Sequence, residues 1–438
     1  MLFIDKLFEK AKEKGMTDVQ VFLTNNSDLS IEVFEGQLEK YEISSSMNMA
    51  IRGIYQGKMG NYSTEILDES LIDEILDTMI DSAKNIDSLD EAIIYAGDKE
   101  YQELTDLFNE ELNALDVAKK IETVKTLDQL FHQADPHVTT VETMYAEQTK
   151  SVLLQNTKGL KLSNKVNSSM LGGQVIVKNE SDQRTGFDLI ISNDYNDFNL
   201  EKLSSKIVSD AVKTLGAKPI PSGQYEIVFD RDALGVLLSA FSGIFSAEAV
   251  QKGLSLLKGK LNTKIGSELV TLVDDPFMKK SSRSRSFDDE GVATHYKELV
   301  QSGVLTTYLH NLNTAKKDQV TSTGNGFGGS VAPINLGLLP GKHSKEELIG
   351  MIKNGIYVTD VQGAHAGANS VSGDFSLQAM GFVVKDGQLG APVALITVAG
   401  NFIQLLQNIE AIGNDTKTGY YGITCPSIKV KPMVVAGL

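Results

Sequence analysis

From Ala233 to Ala247 the chain reads ALGVLLSAFSGIFSA, a run without a single charge, held between Asp232 and Glu248. Such a segment has to be buried, and it is too short to cross a bilayer, which takes about 20 apolar residues. Small side chains (Ser239, Ala240, Ser242, Gly243) are interleaved with the bulky Phe241, Ile244 and Phe245. That mixture suits a helix packed closely on a sheet, capped by an aspartate and entered from a strand over Tyr225–Phe229. The chain must therefore build enough β-structure to cover one fully apolar helix.

The remainder of the C-terminal half fits that demand. It is rich in glycine, with turn signals such as Asp386-Gly387 and Gly400-Asn401 between short strand-like runs. Helical spacing returns near 233–250, 344–354 and 401–410, and the Val/Lys alternation after Cys425-Pro-Ser reads as a closing strand. The expected architecture is α+β: helix and antiparallel-sheet units first, then a β-rich domain around a buried helix. The main boundary falls at Lys218-Pro219-Ile220-Pro221-Ser222-Gly223, where neither proline can continue a helix. This gives an N-terminal region over 1–217, with sub-units near 1–90 and 110–217, and a C-terminal domain over 223–438.

Within the N-terminal region, Ile4, Leu7, Phe8 and Ala11 share one helical face. Strands are expected over Val19–Thr24, Leu29–Phe34, Leu38–Ser44 and Met47–Tyr55, with turns at Glu35-Gly36 and Gly57–Gly60. Helices follow at Leu71–Ala83, Ala114–Gln133 and Phe198–Leu215. Strands fill Val138–Gln148, Ser151–Gln155 and Leu171–Val177, with turn signals at Asn156–Gly159 and Gly172-Gly173. The acidic stretch Asn85–Glu103 reads as a crossing between units.

The 438 residues carry a net charge of −16, with 41% hydrophobic and 22% charged residues. That balance allows full cores and argues against nucleic-acid binding, which needs clustered Lys and Arg. The local exception is Lys279, Lys280, Arg283 and Arg285, either a solvated loop or a contact for an acidic partner or peptide. The single cysteine, Cys425, excludes an intrachain disulfide and suits a reducing compartment. The first residues mix acids and lysines and lack the apolar core of a signal peptide. A cytoplasmic protein, without membrane or nucleic-acid partners, is expected.

Four blocks in the C-terminal half carry a resemblance: FDDEGVATHYKELVQSGVLTTYLHN (Phe287–Asn311), TSTGNG (Thr321–Gly326), SGDFS (Ser372–Ser376) and CPSIKVKPMVVAG (Cys425–Gly437). From about Pro221 onward the chain resembles the TldD/PmbA (TldE) family, also known by the older description "modulator of DNA gyrase". The N-terminal half is similar more loosely, through its helix–sheet–helix order and the run LLQNTKGL at Leu153–Leu160. In the TldD half of that family the matching helix carries His-Glu-x-x-x-His and holds a catalytic zinc. Here that frame reads Ser239-Ala240-Phe241-Ser242-Gly243-Ile244, so Ser239, Ala240 and Ile244 stand where the two histidines and the glutamate would be.

The resemblance therefore implies a TldE/PmbA-type subunit with no cofactor of its own. A TldD-like zinc subunit would complete a metallopeptidase that processes small or unfolded peptides. It also implies a pseudo-symmetric dimer, with homodimers when the partner is missing. In the family the third zinc ligand is a cysteine of the C-terminal region; Cys425 lies in that part of the chain, yet it precedes Pro-Ser and a closing strand, as a buried inert thiol does.

Other groups remain as candidates. Asp288, Asp289 and Glu290, with His295 close behind, make either a charged turn or a groove or interface element. Asp374, beside Gly and Ser, divides in the same way. The loop around Gly324, Asn325 and Gly326 offers many N–H groups but lacks a preceding strand and a Gly-Lys-Ser/Thr, so lining a peptide groove suits it better than phosphate binding. His132 and His137 straddle Asp135-Pro136 and do not share a helical face. Two further readings stay open: a self-sufficient metal peptidase using His295, His310 or His365 with Asp288 or Glu290, and a non-enzymatic regulator that binds peptide or protein.

Overall fold

Alternation of apolar and polar residues, continued farther than expected, builds the first half of the molecule. In a computed structural model, which describes residues 2–86 and 91–438, the two runs Val19–Thr24 and Leu29–Phe34 merge into one strand, β1 (Asp18–Phe34). The next two merge into β2 (Gln37–Tyr55). The polar residues Asn25–Asp28 do not break β1, because they pair with β2 on one side and with Val138–Asn156 on the other. Glu35 and Gly36 join β1 to β2 with φ of 48° and 75°, the two positive values a type I′ hairpin requires.

The next turn is at Gln56-Gly57, one step earlier than expected, so Lys58–Gly60 already belongs to β3 (Lys58–Thr64). Strands β4 (Val138–Asn156), β5 (Lys161–Lys178) and β6 (Gln183–Ser192) complete a six-stranded sheet in the order β3-β2-β1-β4-β5-β6. Gly172 and Gly173 are not a turn but lie inside β5. A Cβ on Gly172 would stand 2.5 Å from the Asp188 carbonyl, and one on Gly173 would stand 2.7 Å from that of Glu142. These glycines mark close strand approach.

Odd-numbered residues of β1 face helices. Val19 and Val21 pack with the helices Leu2–Glu13 and Ile72–Asn85, and Ile31 and Val33 pack with Val117–Ala134 and Leu200–Lys213. Even-numbered residues such as Gln20 and Phe22 face the other way, toward the C-terminal half. Part of the acidic crossing, at 87–90, lies outside the described residues.

The C-terminal half forms the expected β-rich arrangement around a buried helix. Strands Gln388–Asn401, Asp374–Lys385, Asn354–Gln362, Gly223–Phe229 and Ile428–Ala436 follow one another, and the last pairs back with the first to close a barrel. A second six-stranded sheet of short pieces includes Leu272–Asp274, Lys297–Gln301 and Thr424–Cys425. The central helix, Arg231–Phe241, shares one core with both (Leu237 and Phe241 with Ile356, Leu377, Leu272 and Leu299). Asp230 caps this helix by accepting from the Asp232 N–H.

A single helix over 233–250 is expected, but the chain tightens at Ser242–Phe245 and restarts as Ala247–Gln251. Main-chain bonds from Ala247 N to Leu309 O (2.9 Å) and from Leu309 N to Phe245 O (2.8 Å) stitch this junction to its neighbour. Among the described residues no helix is long and apolar enough to cross a membrane.

Candidate functional site

The frame Ser239–Ile244 spans the junction between helix and tight turn. Ser239 and Ala240 are half-buried, whereas Ile244 is 1% exposed within the core. The Ser242 hydroxyl donates to the Ser239 carbonyl at 2.8 Å, and the Ser255 hydroxyl donates to that of Ile244 at 2.6 Å. Alanine and isoleucine offer no ligand atom, and serine is not a usual zinc donor. Cys425 is buried against the first turns of the helix, its thiol donating to the Arg231 carbonyl at 3.3 Å and lying 3.8 Å from where a Cβ on Gly235 would be.

Burial, reinforced by Asp232 and Asp230, pushes the Cys425 thiol far above its usual range. The donors at this frame do not fit a zinc ion. Among the described residues no group of three His, Cys, Asp or Glu is placed to hold one.

The polar centre of the molecule lies elsewhere, where the even face of the first sheet meets the acidic turn. Asp288 is fully buried: its Oδ1 accepts from the N–H groups of Glu290 (3.0 Å) and Val292 (2.9 Å), and its Oδ2 from Gly326 (2.9 Å). Burial, followed by the Glu290 charge, pushes the Asp288 carboxyl up to about 7. Glu290 Oε2 accepts from Leu312 N–H at 2.7 Å, and its Oε1 lies 3.8 Å from the guanidinium of Arg52. Burial raises the Glu290 carboxyl as well. Asp289 bonds Gly328 N–H at 3.0 Å and the Arg285 guanidinium at 3.3 Å, while its carbonyl accepts from Gln20.

Sequence reasoning missed Arg52 and Gln20. In the strand register Arg52 stands opposite Gln20, and Gln20 opposite Asn156, so the three form one row on the face that meets the acidic turn. Alternation alone shows that they share a face; what that face meets depends on a contact more than two hundred residues away in sequence, between Gln20 and Asp289.

The glycine-rich loop joins the same cluster. Gly324 has φ of +69°, and a Cβ there would meet the Ala293 carbonyl at 2.7 Å. A Cβ on Gly326 would lie 2.8 Å from Glu290 Oε2. Asn325, fully buried, donates to Asp274 at 2.8 Å and to the Ala332 carbonyl at 2.9 Å. Asp274 also accepts from Ile334 and Asn335 N–H and lies 3.4 Å from the buried Lys297 ammonium.

His310 hands its backbone carbonyl to Ser322 and Thr323 (3.1 Å each), while its ring is buried with Nδ1 unpartnered. The structure thus brings Asp288, Glu290, Gly324, Asn325 and Gly326 together. His295 and His365 are exposed. Asp374 opens a barrel strand, where bonds from Asn401 and then Ser372 hold its carboxyl below its usual range. His132 stands 3.7 Å from Asp128, and His137 is bonded to Asp135 at 2.7 Å.

A cleft of about 1630 Å³ runs between β6, the first turn of the central helix and the segments 279–283 and 417–423. Several of its cations are neutralised in place: Lys206 and Lys417 on Asp188, and Lys280 on Asp194 and Asp197.

Three family models match the chain, described as PmbA/TldA metallopeptidase domain 1 (residues 19–86), central domain (110–217) and C-terminal domain (222–437). A metalloprotease of Methanocaldococcus jannaschii is 25% identical over 98% of this chain and 97% of its own length. The crystal structure of a candidate modulator of a DNA gyrase from Thermotoga maritima superposes with a TM-score of 0.93 at 34% identity, covering 99% of each chain. TldE of Thermococcus kodakarensis shares the fold, with a TM-score of 0.91 at 23% identity over 99% of this chain and 100% of that one.

Proposed function

The chain belongs to the PmbA/TldD metallopeptidase family, and we propose that it serves there as a TldE-like subunit without a metal site of its own. In this reading it contributes a peptide-binding half, and a TldD-like partner contributes zinc, water and base. The supporting observation is the donor set at the central helix: Ser239, Ala240 and a core-buried Ile244, with Cys425 buried and its thiol bonded to the backbone. A zinc peptidase site needs about three converging ligands and one open position.

A partner of the same fold is supported by the outer edge of β2. Among the described residues β3 pairs with Met49–Tyr55 and no strand covers the outer edge of Gln37–Asn48, which carries the exposed side chains of Leu38, Tyr41 and Ile43. The large cleft supplies a surface for a small or unfolded peptide, and the lone buried Cys425 suits a cytoplasmic setting.

The deciding measurement is metal content per chain, made on protein purified alone without chelator, followed by peptide hydrolysis with and without a TldD-like subunit. The expected result is below about a tenth of an equivalent of zinc and turnover only in the mixture. About one equivalent that survives dialysis, with chelator-sensitive turnover by the isolated chain, would overturn the reading.

A further inference from the structure

Between the even face of the first sheet and the loops of the acidic turn lies a second cavity, of about 450 Å³, within the size range of ligand pockets. One wall is sheet: Phe22 of β1 with Lys150 and Val152 of β4. The opposite wall is formed by Arg285, Phe327 and Ile334. Three cations, Lys150, Arg283 and Arg285, line this cavity against one carboxylate, Asp289. In a chain of net charge −16 that is a local reversal of sign.

The cations differ in what they already hold. Arg285 lies over the Phe327 ring at 4.8 Å and is paired with Asp289. Arg283 donates to the Ile334 carbonyl at 2.7 Å. The Lys150 ammonium, half-buried, has no ion pair or side-chain hydrogen bond among the described residues. Burial and the neighbouring Arg285 pull it down from its usual range, the condition that an incoming anion would relieve. In the larger cleft, by contrast, Lys206, Lys280 and Lys417 are each already paired with aspartates.

We propose that this cavity is a carboxylate-binding subsite for an extended peptide, in which Lys150 and Arg285 take the carboxylate while Phe22, Val152 and Ile334 take the adjoining apolar part. A carboxylate between a lysine and an arginine makes charge-assisted hydrogen bonds, and a pocket with apolar walls strengthens them. The subsite rests on the peptide-binding reading above and assigns it a substrate class, peptides bearing an acidic side chain or a free C-terminus.

Calorimetry on the full chain with three acetylated Ala/Leu hexapeptides tests this. One ends in an amide, one in a free carboxylate, and one in an amide with an internal glutamate. At least one carboxylate-bearing peptide should bind about tenfold or more tightly than the neutral amide. Which of the two does so identifies the source as terminus or side chain. Lys150→Met should abolish that preference while leaving the neutral peptide's affinity unchanged, and Lys150→Arg should retain it. Lys150→Met should also match or exceed the parent in thermal midpoint, since it removes a half-buried unpaired charge, and this excludes misfolding as the cause. Equal binding of all three peptides, or a preference that survives Lys150→Met, overturns the subsite alone. Binding of none overturns the peptide reading with it.

Discussion

Asp288 concentrates much of the chemistry of the domain contact in one side chain. Its two oxygens accept three backbone N–H groups, yet burial still raises its carboxyl to about 7. A raised carboxyl binds its proton more tightly in the folded state. Its stabilising contribution is therefore complete below its ordinary value of 3.8 and is withdrawn as pH climbs through about 7. Asp288→Asn should flatten the dependence of the thermal midpoint between about pH 4 and 7. It should also cost about 1–3 kcal/mol, because one amide N–H group now faces the Gly326 N–H. Calorimetric melts across that pH range check both. The sequence makes Asp288, Glu290 and Gly326 recognisable as a group, since they fall in compact blocks with glycine beside acid. It does not reveal Arg52, Lys297 or Lys150, whose neighbours are set by cross-strand register and by contacts between distant segments.

At the scale of elements, β1, β2, β4 and β5 are legible as strands but not in length, and β3 and β6 are missed. Short alternating runs at Val19–Thr24 and Leu29–Phe34 look separate because Asn25–Asp28 is polar, yet pairing on both sides carries β1 through. The same non-local pairing lets Gly172 and Gly173 sit mid-strand, where a turn is the local reading. At one end of the sheet β5 runs on past β6, and at the other β2 runs on past β3. The open edge of β2, Gln37–Asn48, presents Ile43 at 59% exposed. If that edge joins two subunits, Ile43→Lys should weaken association by about tenfold or more while leaving the fold intact. Light scattering across a dilution series, with circular dichroism as control, reads both. Unchanged assembly would remove the edge from the interface.

Across the whole molecule, the two halves are joined by a buried contact rather than tethered by a linker. Phe287 of the C-terminal half packs with Leu154 and Leu160 of the first half, Tyr101 donates to the Gly291 carbonyl, and Arg52 reaches Glu290. The prolines of Lys218–Gly223 suggest a boundary in sequence, but nothing local in the sequence announces this cross-contact. Halves coupled this way should unfold together. One calorimetric transition is expected for the parent chain, and Phe287→Ala should cost about 3–5 kcal/mol and split that transition in two. A single unshifted transition in the variant would show that the halves are held by other contacts.

The junction after the central helix is fastened by main-chain bonds between Phe245, Ala247 and Leu309. Main-chain fastening does not depend on which side chains occupy Ser239 and Ala240. Exchanging the side chains at these two half-buried positions therefore leaves the fastening in place, whereas Ile244, closed into the core, is where a bulkier or polar replacement would meet resistance.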